Sequence, residues 1–388
     1  MGSLDRYAHW YESQLLQDVM PFWEKHSIDK DYGGFFTCLL RDGRIYDTDK
    51  FVWLQARQVW TFSKLYNELD KKDDWLQIAL HGATFLESYG MDDEGHWYFS
   101  LTRAGKPLVA PYNIFSDCFA CMAFAQIYIA TGIARFREIA ISTFQNINRR
   151  KQNPKGRYNK VMTETRPTKS LALPMIMANL SLEIEPLLDE TLVNQTVADC
   201  EQAILHQFYR PDLGIIVEAI GPTNNLIDSM EGRLVNPGHA IEACWFLMDI
   251  GVRKNDTLLI QKAVDITLQM LEYGWDKRDD GIFYFLDRKG HPLQQLEWDQ
   301  KLWWVHLEAL IATLKGYALT KNEMCKEWFD RIHNYAWSHF HDSEYGEWFG
   351  YLKRDGSKLK TSKGGKWKGC FHVPRALFQC SKILREIT

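Results

Sequence analysis

The sequence predicts an all-α protein: six helix pairs closing into an (α/α)6 barrel, with short β-hairpins gathered at one mouth. Three observations carry that prediction. The first is a phrase that recurs six times, as "DYGGFF", "DEGHWY", "PKGRYN", "DLGIIV", "DDGIFY" and "EYGEWF". Its glycines, Gly33, Gly95, Gly156, Gly214, Gly281 and Gly346, fall at a near-constant period of about 60 residues. Two residues after each comes Phe35, Trp97, Tyr158, Ile216, Phe283 or Trp348, so all but one of these positions are aromatic. The second is an Arg-x-Gly turn after four of the phrases, at Arg41-Gly43, Arg103-Gly105, Arg288-Gly290 and Arg354-Gly356. A strand-like run, a glycine turn and a second short run read as a β-hairpin. The third is that the helical segments are of two kinds.

In chain order, "VWLQARQVWTFSKLY" follows the first hairpin and "DWLQIALHGATFLESY" leads into the second. "IFSDCFACMAFAQIYIATG" follows the second; "TLLIQKAVDITLQMLEYGW" and "LWWVHLEALIATLKGY" flank the fifth; "EMCKEWFDRIHNYAWSHF" leads into the sixth. Segments that lead into hairpins carry polar residues at intervals, as on an amphipathic outer helix. Those that follow are apolar nearly all round, as in helices buried on several sides. Outer and inner rings follow, and the chain is expected to form one catalytic barrel domain over residues 1–388. An open solenoid is the alternative, but no capping repeat with a polar outer face stands out.

Bulk properties exclude several classes. Net charge is -4 with both signs interspersed, and no basic stripe suggests nucleic acid. No run is apolar and long enough to span a membrane. The first residues show no apolar signal segment, and the eight cysteines are scattered. Cys118 and Cys121 form a C-x-x-C inside an apolar run and read as small buried hydrophobes. Reduced thiols and a cytoplasmic protein are therefore expected. The 15 Trp, 17 Tyr and 21 Phe are mostly core, although flat aromatic faces also serve sugar clefts.

The repeats can be compared where each inner helix begins. The fourth has His239 and Glu242, the sixth His372 and Arg375, the fifth Val305 and Glu308, the first Leu54 and Arg57, and the second Asp117 and Ala120. The third, "RPTKSLALPMIM", does not align. Residues three apart share a helix face, so His239, His372, Glu242, Glu308, Arg57, Arg375 and Asp117 are expected around one cavity. A lone histidine at a helix start is usually a hydrogen-bonded packing residue; two at equivalent repeat positions make chemistry the stronger reading. Glu308 with Arg57 also fits a buried ion pair serving only geometry. His306, two residues from Glu308, is expected to face elsewhere. No H-E-x-x-H or other metal-ligand spacing occurs, so no metal is expected. "KTSKGGKWKGC" matches neither Walker nor dinucleotide patterns. It reads as a flexible basic loop at the mouth or, functionally, as an anion site.

Five phrases, "DKDYGGFFTCLLRDG", "KFVWLQARQVWTFSKLY", "RLVNPGHAIEACWFLMD", "DQKLWWVHLEAL" and "GCFHVPRALF", make the chain resemble the N-acylglucosamine 2-epimerase family over essentially its whole length. The resemblance implies interconversion of N-acetylglucosamine and N-acetylmannosamine, with His239 and His372 as acid–base catalysts. It implies substrate-binding or orienting roles for Arg57, Glu242, Glu308 and Arg375. It also implies ATP as an activator that is not consumed and no metal or redox cofactor, and it is compatible with a homodimer. The absence of histidine in "RPTKSLALPM" favours the N-acylhexosamine branch over the disaccharide epimerases. Inverting C2 requires removing the proton beside the C1 aldehyde of the open-chain sugar and returning one to the opposite face. Histidine suits both tasks near neutral pH, and Arg57 or Arg375 could stabilise the charge developing on O1. Another sugar epimerase or an aldose–ketose isomerase on the same barrel is the nearest alternative. A glycosidase using Glu242, Glu308 or Asp117 and a non-catalytic protein-binding module are the rivals from other classes.

Overall fold

The computed structural model describes residues 3–153 and 167–387. The third glycine phrase, around Gly156, lies outside the described residues. Among these residues twelve long helices alternate between two rings. The outer ring holds α1 (Ser3–Gln14, continued through a five-residue π turn, Leu15–Val19, into Met20–His26), α3 (Asp73–Tyr89), α5 (Ala134–Arg150), α7 (Glu190–Ala203), α9 (Thr257–Gly274) and α11 (Glu323–His339). The inner ring holds α2 (Val52–Glu68), α4 (Phe115–Thr131), α6 (Ala172–Glu183), α8 (Pro237–Lys254), α10 (Trp303–Thr320) and α12 (His372–Ile387). Each inner helix packs on the next, and α12 returns to α2, so the ring closes. The outer helices cover it, with α1 lying on α12. This is the expected (α/α)6 barrel.

Local signals set the helix ends. Asp189, Asn236, Asp256 and Asn322 cap α7, α8, α9 and α11 by accepting backbone N–H groups that lack an intrahelical partner. The tight turns after α4, α8 and α10 pass through Gly132, Asn255 and Lys321 in the left-handed region. The recurring aromatic packs between the layers where it is described: Phe35, Trp97 and Trp348 are fully buried.

The hairpins are chained around the mouth by pairs of residues. Lys50–Phe51, Lys169–Ser170, Leu234–Val235 and Lys301–Leu302 each lead into an inner helix. Each pairs antiparallel with a strand of the following repeat: Ser100–Leu101, Ala219–Ile220, Leu286–Asp287 and Tyr351–Leu352. The Arg-x-Gly turns explain themselves here. Arg103 reaches back to Asp29 (2.9 Å) and Arg354 to Asp276 (2.7 Å), each in the preceding repeat. Arg41 reaches Asp342 of the last repeat (2.7 Å), sealing the ring. Each aspartate also takes a buried lysine: Lys50 at 2.9 Å, Lys301 at 3.0 Å and Lys363 at 2.8 Å. Burial disfavours the Asp29 charge, but Arg103 and Lys50 outweigh it and hold the carboxyl down to about 2.

Lys363 departs from the flexible basic loop expected from sequence. Its ammonium is buried against Asp342 and the Glu347 carbonyl, and Lys368 is buried against the Glu347 carboxylate at 2.7 Å. Backbone N–H groups of Lys363 and Gly364 donate to Leu39 of the first hairpin. A side chain at Gly364 would collide with the Thr37 carbonyl, so only glycine permits this approach. The loop is a clasp between the last and first repeats, and two of its lysines are spent inside it. Lys360 and Lys366 remain exposed, the latter with its ammonium over Phe99 and Trp367.

All eight cysteines are buried and unpaired, as the reading of Cys118 and Cys121 anticipated. No helix among the described residues is long and apolar enough to cross a membrane.

Candidate active site

The sequence "NPGHAIEACWF" folds as a helix start for identifiable reasons. Asn236 accepts from the His239 backbone N–H at 3.1 Å, and Pro237 occupies the first turn, where its missing N–H costs nothing. Gly238 is required by close approach: a Cβ there would lie 2.8 Å from the Trp304 ring. His239 therefore rests on that indole, ring centroids 5.2 Å apart. His372, in the first turn of α12, contacts the same indole at 6.0 Å. Trp304 is a shared platform, and the two imidazoles are no further apart than the sum of those distances.

Each imidazole is backed by a carboxylate, but in opposite electrostatic settings. His372 is buried, and its Nδ1 lies 2.7 Å from Glu308 Oε1. A carboxylate accepts, so Nδ1 carries the proton and the lone pair is left on Nε2. The same Glu308 accepts from Arg375 (2.6 Å) and from the Trp245 indole N–H (2.9 Å). Burial, and then the positive charges of Arg57 and Arg375, hold the His372 imidazole well below its ordinary value, so it is neutral. His239 is nearly a third exposed, and its Nδ1 sits 3.1 and 3.2 Å from the two oxygens of Glu218. Burial opposes its charge, but the Glu218 carboxylate, with help from Glu242, outweighs burial and raises its pKa.

Beneath the imidazoles lies a buried charge cluster. One Arg375 nitrogen donates to Glu242 (2.7 Å) as well as Glu308. Arg57 does not form the expected pair with Glu308. Its guanidinium lies among Phe119, Trp53 and Phe371 at 3.9, 4.4 and 4.6 Å, and its buried Nε has no hydrogen-bond partner. Burial and the neighbouring Arg375 lower its pKa to about 9. The Arg57 guanidinium makes no hydrogen bond to another side chain among the described residues, which leaves it available to a ligand. Glu242, Glu308 and His372 bring donor atoms within 4.8 Å of one another, a cluster that spacing along the chain could not reveal. The set does not fit a metal: Arg375 already stands between the carboxylates, and Nδ1 of His372 is protonated.

The structure thus brings together six of the seven residues expected from sequence. Asp117 is the exception. It is buried, but its carboxylate pairs with Arg150 at the end of α5 (2.8 Å), away from the cluster. His306 faces elsewhere, as expected: Nε2 accepts from the Ile282 backbone and Nδ1 donates to the Leu302 carbonyl, so both nitrogens are used structurally. Neither Glu242 nor Glu308 is a free carboxyl, which removes the pair a glycosidase would need. Glu218 and Trp304 escaped the sequence reading. A charge interrupting the apolar strand "IIVEAI" was the one available signal for Glu218. A cavity of about 520 Å³ opens at the opposite end of the barrel, between the C-terminal turns of inner helices, with Trp245 separating it from Glu308.

Fold and site together define an (α/α)6 barrel carrying two carboxylate-backed histidines on one indole at its mouth. The sequence matches the N-acylglucosamine 2-epimerase (GlcNAc 2-epimerase) family over residues 34–376, and the chain belongs to that family. It is 39% identical to the N-acylglucosamine 2-epimerase of Mus musculus, over 96% of this chain and 90% of that one. It is 38% identical to the Bos taurus enzyme of the same name over the same shares. The barrel superposes on a cellobiose 2-epimerase from Bacillus thermoamylovorans with a TM-score of 0.84, covering 98% of this chain and all of that one; at 22% identity this likeness concerns the fold alone.

Proposed function

We propose that this chain is an isomerase that interconverts N-acetylglucosamine and N-acetylmannosamine by moving a proton at C2 of the open-chain sugar. One observation carries the reading: two imidazoles share an indole platform, one held neutral and the other biased toward the imidazolium. Inversion needs a base on one face of C2 and an acid on the other. His372, with Nε2 free, takes the C2 proton, and the electron pair moves toward C1 to give an enediolate. His239 returns a proton to the opposite face. The roles exchange in the reverse direction. Arg57, with unpaired donor capacity beside apolar rings, stabilises the oxygen on which charge develops. Glu308 and Arg375 orient His372, and Glu242 anchors Arg375. The whole chain, residues 1–388, serves as one catalytic domain.

The family resemblance supports ATP as a bound, unconsumed activator and is compatible with a homodimeric assembly. The eight buried thiols accord with a cytoplasmic setting. Lys363 and Lys368, being internally paired, are not its phosphate ligands. The test incubates purified protein with N-acetylmannosamine in deuterated water, with and without ATP, followed by NMR. Appearance of N-acetylglucosamine deuterated at C2, with no ADP formed in proportion, is expected. His239→Asn and His372→Asn should each abolish inversion. Inversion at near-native rate by either variant would overturn the two-histidine mechanism.

A further inference from the structure

Glu218 has no role in the family resemblance, yet both its backbone and its side chain are held in place at the mouth. Its backbone N–H donates to Leu234 (3.2 Å), two residues before the Asn236 cap, and its carbonyl accepts from Leu171 (3.0 Å) at the start of α6. The next residues, Ala219–Ile220, pair with Lys169–Ser170. Two segments, residues 169–171 and the strand before the Asn236 cap, therefore fix the Glu218 backbone relative to the helix that carries His239. Its side chain is largely buried and spends both oxygens on His239 Nδ1.

Resting on the proposed epimerase reading, we infer that Glu218 is a positioning residue that holds His239 with Nε2–H toward the sugar and makes it the proton donor of the resting enzyme. The geometry leaves little freedom. With Nδ1–H given to Glu218, Nε2 is the nitrogen left for the sugar. A carboxylate at this distance stabilises the imidazolium, so the resting pair is a neutral His372 and a His239 biased toward its charged form.

The proton accounting then has a direction. The C2–H bond breaks, His372 Nε2 gains the proton and the electron pair passes to C1–O1 as an enediolate. The pair then returns to C2 as His239 Nε2 releases its proton on the other face. The enzyme is left with His372 charged and His239 neutral, and solvent exchange restores the resting form. One epimer meets a ready enzyme, while the other must wait for the less stable form. The titratable groups around His239 are few. Glu242 lies one turn along α8. Tyr284, from the fifth hairpin, packs edge-on to Trp304, and burial with Glu297 and Glu218 pushes its phenol up to about 12, so it stays neutral.

The test uses Glu218→Gln and Glu218→Asp in the full chain. Glu218→Gln should lower kcat in both directions about 100-fold, with KM changed by less than about threefold. The alkaline limb of the direction that needs charged His239 should move to lower pH, because the group that raises its pKa is gone. Glu218→Asp should recover part of kcat and part of the pH shift. Independently, NMR of 15N-labelled imidazoles should find His239 titrating above about 6.5 in the native protein and lower in Glu218→Gln. A merely structural contact would alter melting temperature without moving either titration. Native-like kcat and pH profile in folded Glu218→Gln, or His239 titrating at or below the ordinary value in the native protein, would overturn the inference. If the native protein interconverts no amino sugar, the epimerase reading fails, while the imidazole titration still decides whether Glu218 controls His239.

Discussion

Replacing Glu308 with Gln is the sharpest test of the buried cluster, because one substitution removes both a charge and an orientation. The cluster balances as it stands: Arg57 and Arg375 against Glu242 and Glu308, with His372 neutral. Glutamine keeps the size and can still accept from the Trp245 indole. It leaves a net positive charge in a buried cluster, and breaking a buried ion pair on one side costs about 3–5 kcal/mol. The amide can also turn its NH2 toward His372, which would then accept at Nδ1 and point Nε2–H, not a lone pair, at the substrate. Losing a correctly poised base costs about 10²–10⁴ in rate. The expected outcome is a lower melting temperature by calorimetry together with a fall of that order in kcat by NMR in both directions. Glu242→Gln is the control: it loses one of Arg375's two carboxylates but no hydrogen bond to His372, so its loss of kcat should be smaller. Native turnover in a destabilised Glu308→Gln would refute the tautomer argument and reduce Glu308 to a structural counterion.

Two further outcomes probe the frame. Asp342→Asn strands the buried Lys363 ammonium and leaves Arg41 with only Glu344 at the seam between last and first repeats. It should cost about 3–5 kcal/mol in denaturant unfolding at pH 7 and less at pH 9, where Lys363, already lowered to about 8 by burial, sheds its proton. Acid should destabilise the fold through His306 and His333, which burial lowers to about 3 and about 4. Because the unfolded chain binds their protons first, stability is intact above about pH 6.5 and falls by about 1.4 kcal/mol per pH unit for each group until the folded pKa is reached. Urea midpoints measured from pH 7 to pH 4 should show this slope, reduced by one group's share in His333→Asn.

What sequence could reveal divides along one physical line. Interactions that repeat with the chain's own period are legible, because duplication writes them at constant spacing. The glycine phrase, the two helix characters and the charged pairs at helix starts are of this kind, and they were enough for the barrel and for six residues of the cluster. Interactions that cross between repeats are not. The Arg-x-Gly arginines are conspicuous, but Asp29, Asp276 and Asp342, their partners, belong to neighbouring units, and nothing in one unit announces them. The same limit misread the glycine- and lysine-rich stretch. Its charges looked available because the groups that absorb them, Asp342 and Glu347, lie in the preceding hairpin, and the backbone that clasps it is at the other end of the chain. Asp117 failed for a different reason: helix phase gives a face only to within neighbouring positions, and Arg150 from the adjoining outer helix captured the carboxylate. Glu218 combines both difficulties. It lies on a hairpin, outside the helix register that organised the comparison, and its meaning depends on His239, which the chain supplies 21 residues later. The acid–base asymmetry of the two histidines is therefore a tertiary property. Their repeat positions are equivalent, and it is Glu218 on one side and Arg57 with Arg375 on the other that make them different.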